Sequence, residues 1–437
     1  MNGTAISAGD TGWVLVSSAL VLLMIPGLAL FYGGLVRPRA ALNTVMMSFA
    51  ALAVVSVQWT LMGYSLAFAP GPIIGGIRWF GLSGVGAAAG PYSGTIPHIA
   101  FAMFQVMFAG ITVALISGAV VERIRFSAFL IFGIAWTTLV YDPLAHWVWA
   151  TDGWLHRLGA LDFAGGTVVH ISAGTAAVVA AIVLGRRQDV GRTASRPHNV
   201  VYTVLGAGLL WVGWLGFNAG SALAADGVAA NAIATTHAAA AAALVMWMLL
   251  DYLRNGRATA VGAATGAVAG LVAITPAAGY VTPMSALAIG ALGALASNAA
   301  IQLRERFPMD DALDVFACHG VAGIVGALLT GVFATTNVNA AGANGLLFGN
   351  AHLLLVQAIA VLATIAFTAP VTAVIMLRLR TVGVLRVPLA HELGGVDVNV
   401  HGERAYDHEE DLLPAAALAR AESLMLGPEA FSRAGAA

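Results

Sequence analysis

Two histidines in this sequence stand where an ionisable ring is costly. His170, in the stretch DFAGGTVVHISAG (162–174), and His319, in DVFACHGVAG (314–323), each lie inside apolar runs of membrane-spanning length. Both follow the pattern H-x-x-A-G, and an acidic residue precedes each, Asp162 and Asp314. An ionisable residue within a bilayer must find a partner and marks a functional pathway. Two facing imidazoles meet that demand without a formal charge, because one neutral ring donates its N–H to the lone pair of the other. The chemistry such a pair offers is hydrogen bonding to a small polar solute and relay of a proton. Histidines bonded separately within a helix bundle are the plain alternative, and axial ligation of a haem is another.

The elements that position these rings are membrane spans. Only 9% of the 437 residues are charged and 59% are hydrophobic, against roughly 25% charged in ordinary soluble proteins, so the chain is an all-α polytopic membrane protein. Apolar blocks predict spans near 11–34, 41–68, 98–121, 126–147, 163–184, 200–218, 228–253, 258–275, 284–302, 312–333 and 351–377. Eleven spans put the termini on opposite sides. Every basic residue is arginine, and Arg37, Arg39, Arg123, Arg125, Arg186, Arg187, Arg192, Arg196, Arg254, Arg257, Arg304 and Arg306 fall in every second loop, with only Arg78 and Arg157 opposite. The positive-inside rule then places the N-terminus outside and the C-terminus in the cytoplasm. Asp10 and Thr11 lead straight into the first run with no basic stretch before it, which reads as a retained helix rather than a cleaved signal.

The histidine motifs fall in the fifth and tenth spans, so each closes a block of five helices, and an odd block length makes the copies cross in opposite directions. Inverted repeats of this kind gather functional residues near the bilayer midplane. At 1.5 Å per residue each histidine lies about 12 Å in from the opposite end of its span, leaving the rings about 6 Å apart in depth across a core of about 30 Å. The five-helix spacing and the lack of further facing histidine pairs weigh against a haem. No cofactor is expected. With a net charge of −1, no nucleic-acid partner is expected either.

Other residues have structural readings. Cys318, the single cysteine, is a small packed residue. Asp162, Asp310 and Asp311 stand where spans begin and read as helix caps, and Asp314 as a structural acid near the inner vestibule. His98, His146, His237 and His352 read as packed or interfacial, and Trp211 and Trp214 as packing or interfacial anchors. Beyond residue 378 a polar tail of some 60 residues is predicted to lie against the cytoplasmic face, with 412–426 either a short amphipathic helix or loose.

The stretches FYGGLVRPRAALNT (31–44), FQVMFAGITVALISGAVVERIRF (104–126), DFAGGTVVHI (162–171), WLGFNAGS (214–221) and DDALDVFACHGVAGIVGALLTGVF (310–333) closely resemble the ammonium transporter family, its bacterial branch in particular. The resemblance spans about residues 10–380 in order and spacing. It implies two inverted five-helix halves (about 11–184 and 200–333) plus an outer helix (351–377), a transmembrane domain over 1–378 and a cytoplasmic tail over 379–437. It also implies a homotrimer in the bacterial inner membrane, with ammonium as substrate and methylammonium as an analogue. By motif position it implies an outer ammonium site of Phe108, Trp149 and Ser221, a gate of Phe108 and Phe217, twin pore histidines His170 and His319, and site-stabilising acids Asp162 and Asp314. Phe104 lies one turn before Phe108. Trp147 and Trp154 flank Trp149, which is chosen on the pattern H-x-V-W. A PII signal-transduction protein is the implied cytoplasmic partner, although VPLAHELGGVDVNVHGE (387–403) departs from the family's acidic run before HGE. The rival class, an ammonium sensor signalling through the tail, finds no recognisable output domain in those residues.

Overall fold

The computed structural model describes residues 5–188, 197–304, 306–307 and 309–406. Among these, ten helices are long and apolar enough to cross a membrane, and Ala260–Ile274 is a shorter apolar one. The eleven together match the predicted spans. They are Ala8–Leu35, Pro38–Phe68, His98–Val120, 126–149, Gly166–Leu184, Val200–Gly220, Gly227–Asn255, Ala260–Ile274, Pro283–Arg304, Phe316–Phe333 and Ala351–Thr381.

Span starts carry short polar caps that accept the first free amides. Ser7 Oγ takes Asp10 N at 3.2 Å, Asn199 takes Tyr202 N at 2.9 Å, Asp226 takes Ala229 N at 3.0 Å and Thr259 takes Gly262 N at 2.9 Å. Two predicted starts move inward: the fifth span begins at Gly166 rather than 163, and the tenth at Phe316 rather than 312. In each case an aspartate upstream holds the opening amides. The fourth span runs on to Trp149, beyond the predicted 147.

Four spans contain a wide π-helical turn: Trp59–Gly63 in the second, Thr137–Tyr141 in the fourth, Gly166–Ile171 opening the fifth and Phe316–Val321 opening the tenth. Such turns recur at functional positions. The last two each contain one of the motif histidines, so the sequence repeat is also a repeat of local backbone form.

Outside the bundle a small hairpin pairs Ala89–Gly90 with Ser93–Pro97. On the arginine-rich face, residues 382–406 pack against the span ends, with short helices Leu389–Gly394 and Val396–His401. Asp397 accepts Leu42 N (3.0 Å) and Asn43 N (2.8 Å), capping the second span from far along the chain. Arg192, Arg196 and the 412–426 segment lie outside the described residues.

Candidate functional site

The two histidines meet. His170 Nδ1 and His319 Nδ1 are 3.4 Å apart, and their rings stack at 5.4 Å with 24° between planes. They can meet because the helices carrying them cross backbone to backbone at the motif glycines. A Cβ on Gly174 would stand 2.3 Å from Gly320 N, and one on Gly323 would stand 3.3 Å from both Gly166 O and His170 Cβ. Gly174 is therefore a packing requirement, and Gly323 leaves its neighbours only a few tenths of an ångström to give.

A single N–H must serve the Nδ1···Nδ1 contact, so one ring donates and the other accepts; the accepting ring then carries its proton on Nε2. His170 Nε2 is buried and has no hydrogen-bond partner among the described residues, and its ring lines a narrow gap with a donor or an acceptor to offer. Its ring also packs against Trp214, stacked at 5.3 Å and 24°. The Trp214 indole N–H in turn donates to Thr275 Oγ1 at 2.8 Å. Of the two readings of Trp214, packing or interfacial anchor, the structure shows packing: it is buried and lines the narrow gap beside the histidines. Three residues, one helical turn, separate it from Phe217, a spacing that puts both on one face and could have flagged it.

Phe217 lies above the histidines and stacks on Phe108 at 4.2 Å, with 32° between planes. Phe108 is 1% exposed and Phe217 0%, so both rings are fully packed where they meet. Phe104 meets Phe108 edge-on at 4.8 Å. Beside His170, His319 and Phe217, a gap of about 10 Å³ is lined by Met24, Ile111, Leu115, Trp214 and Val268, close to the smallest volume that admits a water-sized molecule. A 3.4 Å separation of ring nitrogens leaves no place for a porphyrin between them.

On the outer side, Trp149 presents its ring edge-on to Phe108 at 6.0 Å and 85°, and its indole N–H donates to Asp162 O at 3.0 Å. Ser221 caps the sixth span one turn beyond Phe217, donating to Phe217 O at 2.9 Å. The hydroxyl oxygen keeps lone pairs with which to accept. Asp162 is the cap the sequence suggests. Its carboxylate accepts Gly165 N (2.9 Å), Gly166 N (2.5 Å), Thr167 N (2.8 Å) and Val168 N (3.3 Å), and also the Thr167 hydroxyl. With Gly165 at φ 113°, this nest turns the chain into the histidine span, and the backbone carbonyl of the same residue aims Trp149.

Below the histidines a polar cavity of about 510 Å³ opens on the arginine-rich side, bounded by Arg187, Asp251, Arg254, Arg304, Asp314 and Cys318. Asp314 pairs with Arg304 Nε at 3.0 Å and sits at φ 57°. Asp311 does cap the tenth span, accepting Phe316 N at 2.7 Å. Asp310 does not. It binds Arg187 through both oxygens, at 2.9 and 3.0 Å, because a second cap is redundant and a buried guanidinium lies within reach. Glu122 holds the other end of Arg187 at 3.0 Å and also binds Arg37. Burial opposes charge on Glu122 and Asp310, yet the arginines around each hold both carboxyls below their usual range. This lattice joins four loops on one face.

His98 is buried and bonds Tyr64 Oη at 2.5 Å, and His237 packs on Trp211 at 5.4 Å. Neither approaches the histidine pair.

A family model, the Ammonium Transporter Family, matches residues 12–406. An ammonium transporter of Bacillus subtilis (strain 168) is 53% identical over 400 residues, covering 91% of this chain and 98% of its own. One from Aquifex aeolicus (strain VF5) is 49% identical over 410 residues, covering 92% and 94%. Among solved structures, Saccharomyces cerevisiae Mep2 superposes with a TM-score of 0.82 at 38% identity, covering 88% of each chain. A protein named Sensor Amt Protein gives 0.82 at 30% identity, covering 90% of this chain and 98% of its own.

Proposed function

The chain belongs to the ammonium transporter family, as a multi-pass membrane protein that transports ammonium rather than an enzyme, and from that premise we propose how its residues do so. Ammonium is recruited at Phe108, Trp149 and Ser221, loses a proton, and passes the Phe108–Phe217 gate as ammonia. It then crosses an uncharged pore along His170 and His319 and is reprotonated in the inner vestibule. The observation that carries this reading is the histidine pair bonded to itself directly beneath the stacked phenylalanines.

The chemistry follows from what separates ammonium from potassium. Their charge and size are similar, so a ring cage attracts both, at about 0.5–2 kcal/mol per contact. Ser221 can accept a hydrogen bond that only ammonium offers. Beyond the gate, an apolar gap with neutral rings penalises any bare cation by several kcal/mol. Potassium has no neutral form. Ammonium can leave its proton, and ammonia, with three N–H donors and a lone pair, can exchange hydrogen bonds with His170 Nε2. Because the Nδ1···Nδ1 proton can sit on either ring, the pair can also pass the abandoned proton inward. One charge then crosses for each ammonia.

Asp162 serves this site by fixing the histidine span and Trp149, and Asp314 by shaping the vestibule with Arg304. We further propose a homotrimer in the bacterial inner membrane, with residues 1–378 as the transport domain and 379–437 as the cytoplasmic tail. Methylammonium is the analogue expected to pass. A PII protein is the proposed partner of the cytoplasmic face, where residues 382–406 cover the span ends.

The test is charge displacement in proteoliposomes after a rapid ammonium pulse, with potassium as control. A current with ammonium and none with potassium is expected. Replacing both His170 and His319 by alanine should abolish the current or its selectivity; unchanged selective current in that variant refutes the relay.

A further inference from the structure

One carboxyl group within the membrane takes no part in this pathway. Asp142, in the fourth span, is 0% exposed. Its Oδ2 accepts one N–H of the Gln58 amide, from the second span, at 2.7 Å. The other N–H of that amide goes to Thr138 Oγ1 at 3.0 Å, whose hydroxyl donates to Ile134 O at 2.9 Å. His146, one turn further along the helix, has its ring nitrogens at the carbonyls of Ala67 (3.1 Å) and Gly71 (2.8 Å).

The proton inventory of the Asp142–Gln58 pair is one short. Gln58 has two amide protons and both are spent. Two buried atoms remain with no donor among the described residues, Asp142 Oδ1 and Gln58 Oε1. With Asp142 ionised, both are acceptors facing nothing, and a carboxylate is held in the bilayer by a single neutral amide, the most costly form of burial. With a proton on Oδ1, the carboxyl gains the donor that Gln58 Oε1 lacks. The two groups, already joined through N–H and Oδ2, then form an acid–amide pair whose donors and acceptors balance.

The placement of the pair gives it a role. Gln58 ends the helix Ala41–Gln58 directly before the π turn Trp59–Gly63, and Asp142 begins the stretch Asp142–Trp149 directly after the π turn Thr137–Tyr141. The Gln58 side chain is wedged against Gly63, where a Cβ would come within 2.5 Å of Oε1. The bond between the spans therefore sits where both helices widen, and everything beyond it in the fourth span leads to Trp149.

We infer that Asp142 keeps its proton in the working transporter and that the Asp142–Gln58 acid–amide pair is the positioning element that sets Trp149 over the pore. The positioning half of this inference rests on the reading of Trp149 as a cage residue. Asp142→Asn offers an amide in place of the acid and preserves both bonds, whereas Asp142→Ala and Gln58→Leu each strand a buried polar partner.

The experiment measures the ammonium concentration giving half-maximal current for full-length protein in proteoliposomes. It adds the infrared difference spectrum between wild type and Asp142→Asn at neutral pH, where exposed carboxyl groups are ionised. Asp142→Asn should stay near wild type, while Asp142→Ala and Gln58→Leu should raise half-saturation about tenfold with maximal current largely kept. A carbonyl band of a protonated carboxyl group should appear in wild type and vanish in Asp142→Asn. An Asn variant as impaired as the Ala variant, or a wild type without that band, overturns the inference. If the Ala variant does not assemble, the Asn variant and the band still decide. Trp149→Leu separates the two readings. Should it leave half-saturation unchanged, the cage fails while the band still reports on the proton of Asp142.

Discussion

Gly174→Ala should cripple transport by moving the histidines without touching them. A methyl group at Gly174 would lie 2.3 Å from Gly320 N and 2.4 Å from Gly320 Cα, where ordinary contact begins at 3.4 Å. Both obstacles are backbone, so no side chain can swing aside, and the fifth and tenth spans must part by about 1 Å. The histidine contact, already long at 3.4 Å, then exceeds hydrogen-bonding range. Overpacking costs about 1–3 kcal/mol, offset by the 0.5–1 kcal/mol that alanine gains over glycine inside a helix. The net loss of stability is about 1–2 kcal/mol. The larger effect is on function, because a misplacement of this size can cost about 10²-fold in rate. Ammonium-pulse current per reconstituted protein and thermal unfolding in detergent read the two quantities separately. Gly12→Ala is the control: nothing lies within 4 Å of a Cβ there, so current should hold and stability rise slightly. Wild-type current and unfolding temperature in Gly174→Ala would refute the claim that crossing glycines set the histidine geometry.

Arg187→Met should destabilise the protein by about 3–5 kcal/mol, because it leaves the buried Glu122 and Asp310 carboxylates short of a partner; thermal unfolding at neutral pH checks this. Both carboxyls sit below their ordinary values of 4.5 and 3.8, so their contribution is present above those values and lost as pH falls through the lower folded ones. Unfolding temperature in wild type should therefore drop below about pH 4, and the drop should be smaller in Arg187→Met. Asp397→Ala removes the acceptor of Leu42 N and Asn43 N and should cost about 0.5–2 kcal/mol, again read by thermal unfolding. Trp214→Phe keeps a ring against His170 but loses the bond to Thr275, so stability should fall by about 1 kcal/mol with current retained. Trp214→Ala should lose the current as well as about 3–5 kcal/mol.

What the sequence reveals here and what it hides divide along a physical line. Spans are legible because hydrocarbon demands a continuous apolar run of fixed length, and the histidine pair because one motif recurs in two blocks of odd length. The outer residues Phe108, Trp149, Phe217 and Ser221 come from motif position, and the structure brings Phe108 against both Phe217 and Trp149. Contacts between residues remote in sequence leave no such trace. Asp310 looks like a cap because it precedes a helix, and only the fold shows that Arg187, 123 positions earlier, claims it. Asp397 lies in a tail of unremarkable composition, yet it caps a helix 354 residues upstream. Asp142 follows a tyrosine and precedes a proline at no recognisable motif, and its partner Gln58 lies on another span.

The same line explains how a site can discriminate without a charged ligand. Were selection made by a carboxylate in the pore, ammonium and potassium would be drawn alike, since Coulomb attraction depends on charge and distance alone. Here the carboxylate nearest the outer aromatic residues by motif, Asp162, accepts hydrogen bonds from backbone amides and the hydroxyl of Thr167, an arrangement that fits a geometric role rather than a binding charge. Packed close by are the rings of Phe108 and Phe217, and a gap of about 10 Å³ beside two hydrogen-bonded imidazoles. Each layer raises the energy of a cation and leaves a small hydrogen-bonding neutral molecule nearly untouched. On the proposed mechanism, selectivity depends on whether the solute can discard its charge at Phe108 and Phe217. A cation with no proton to lose should be excluded however well its radius fits, whereas methylammonium should be limited by its added methyl group in the narrow gap. Currents with methylammonium well below those with ammonium at saturation, alongside none with potassium, would follow from this ordering; equal currents with potassium would contradict it.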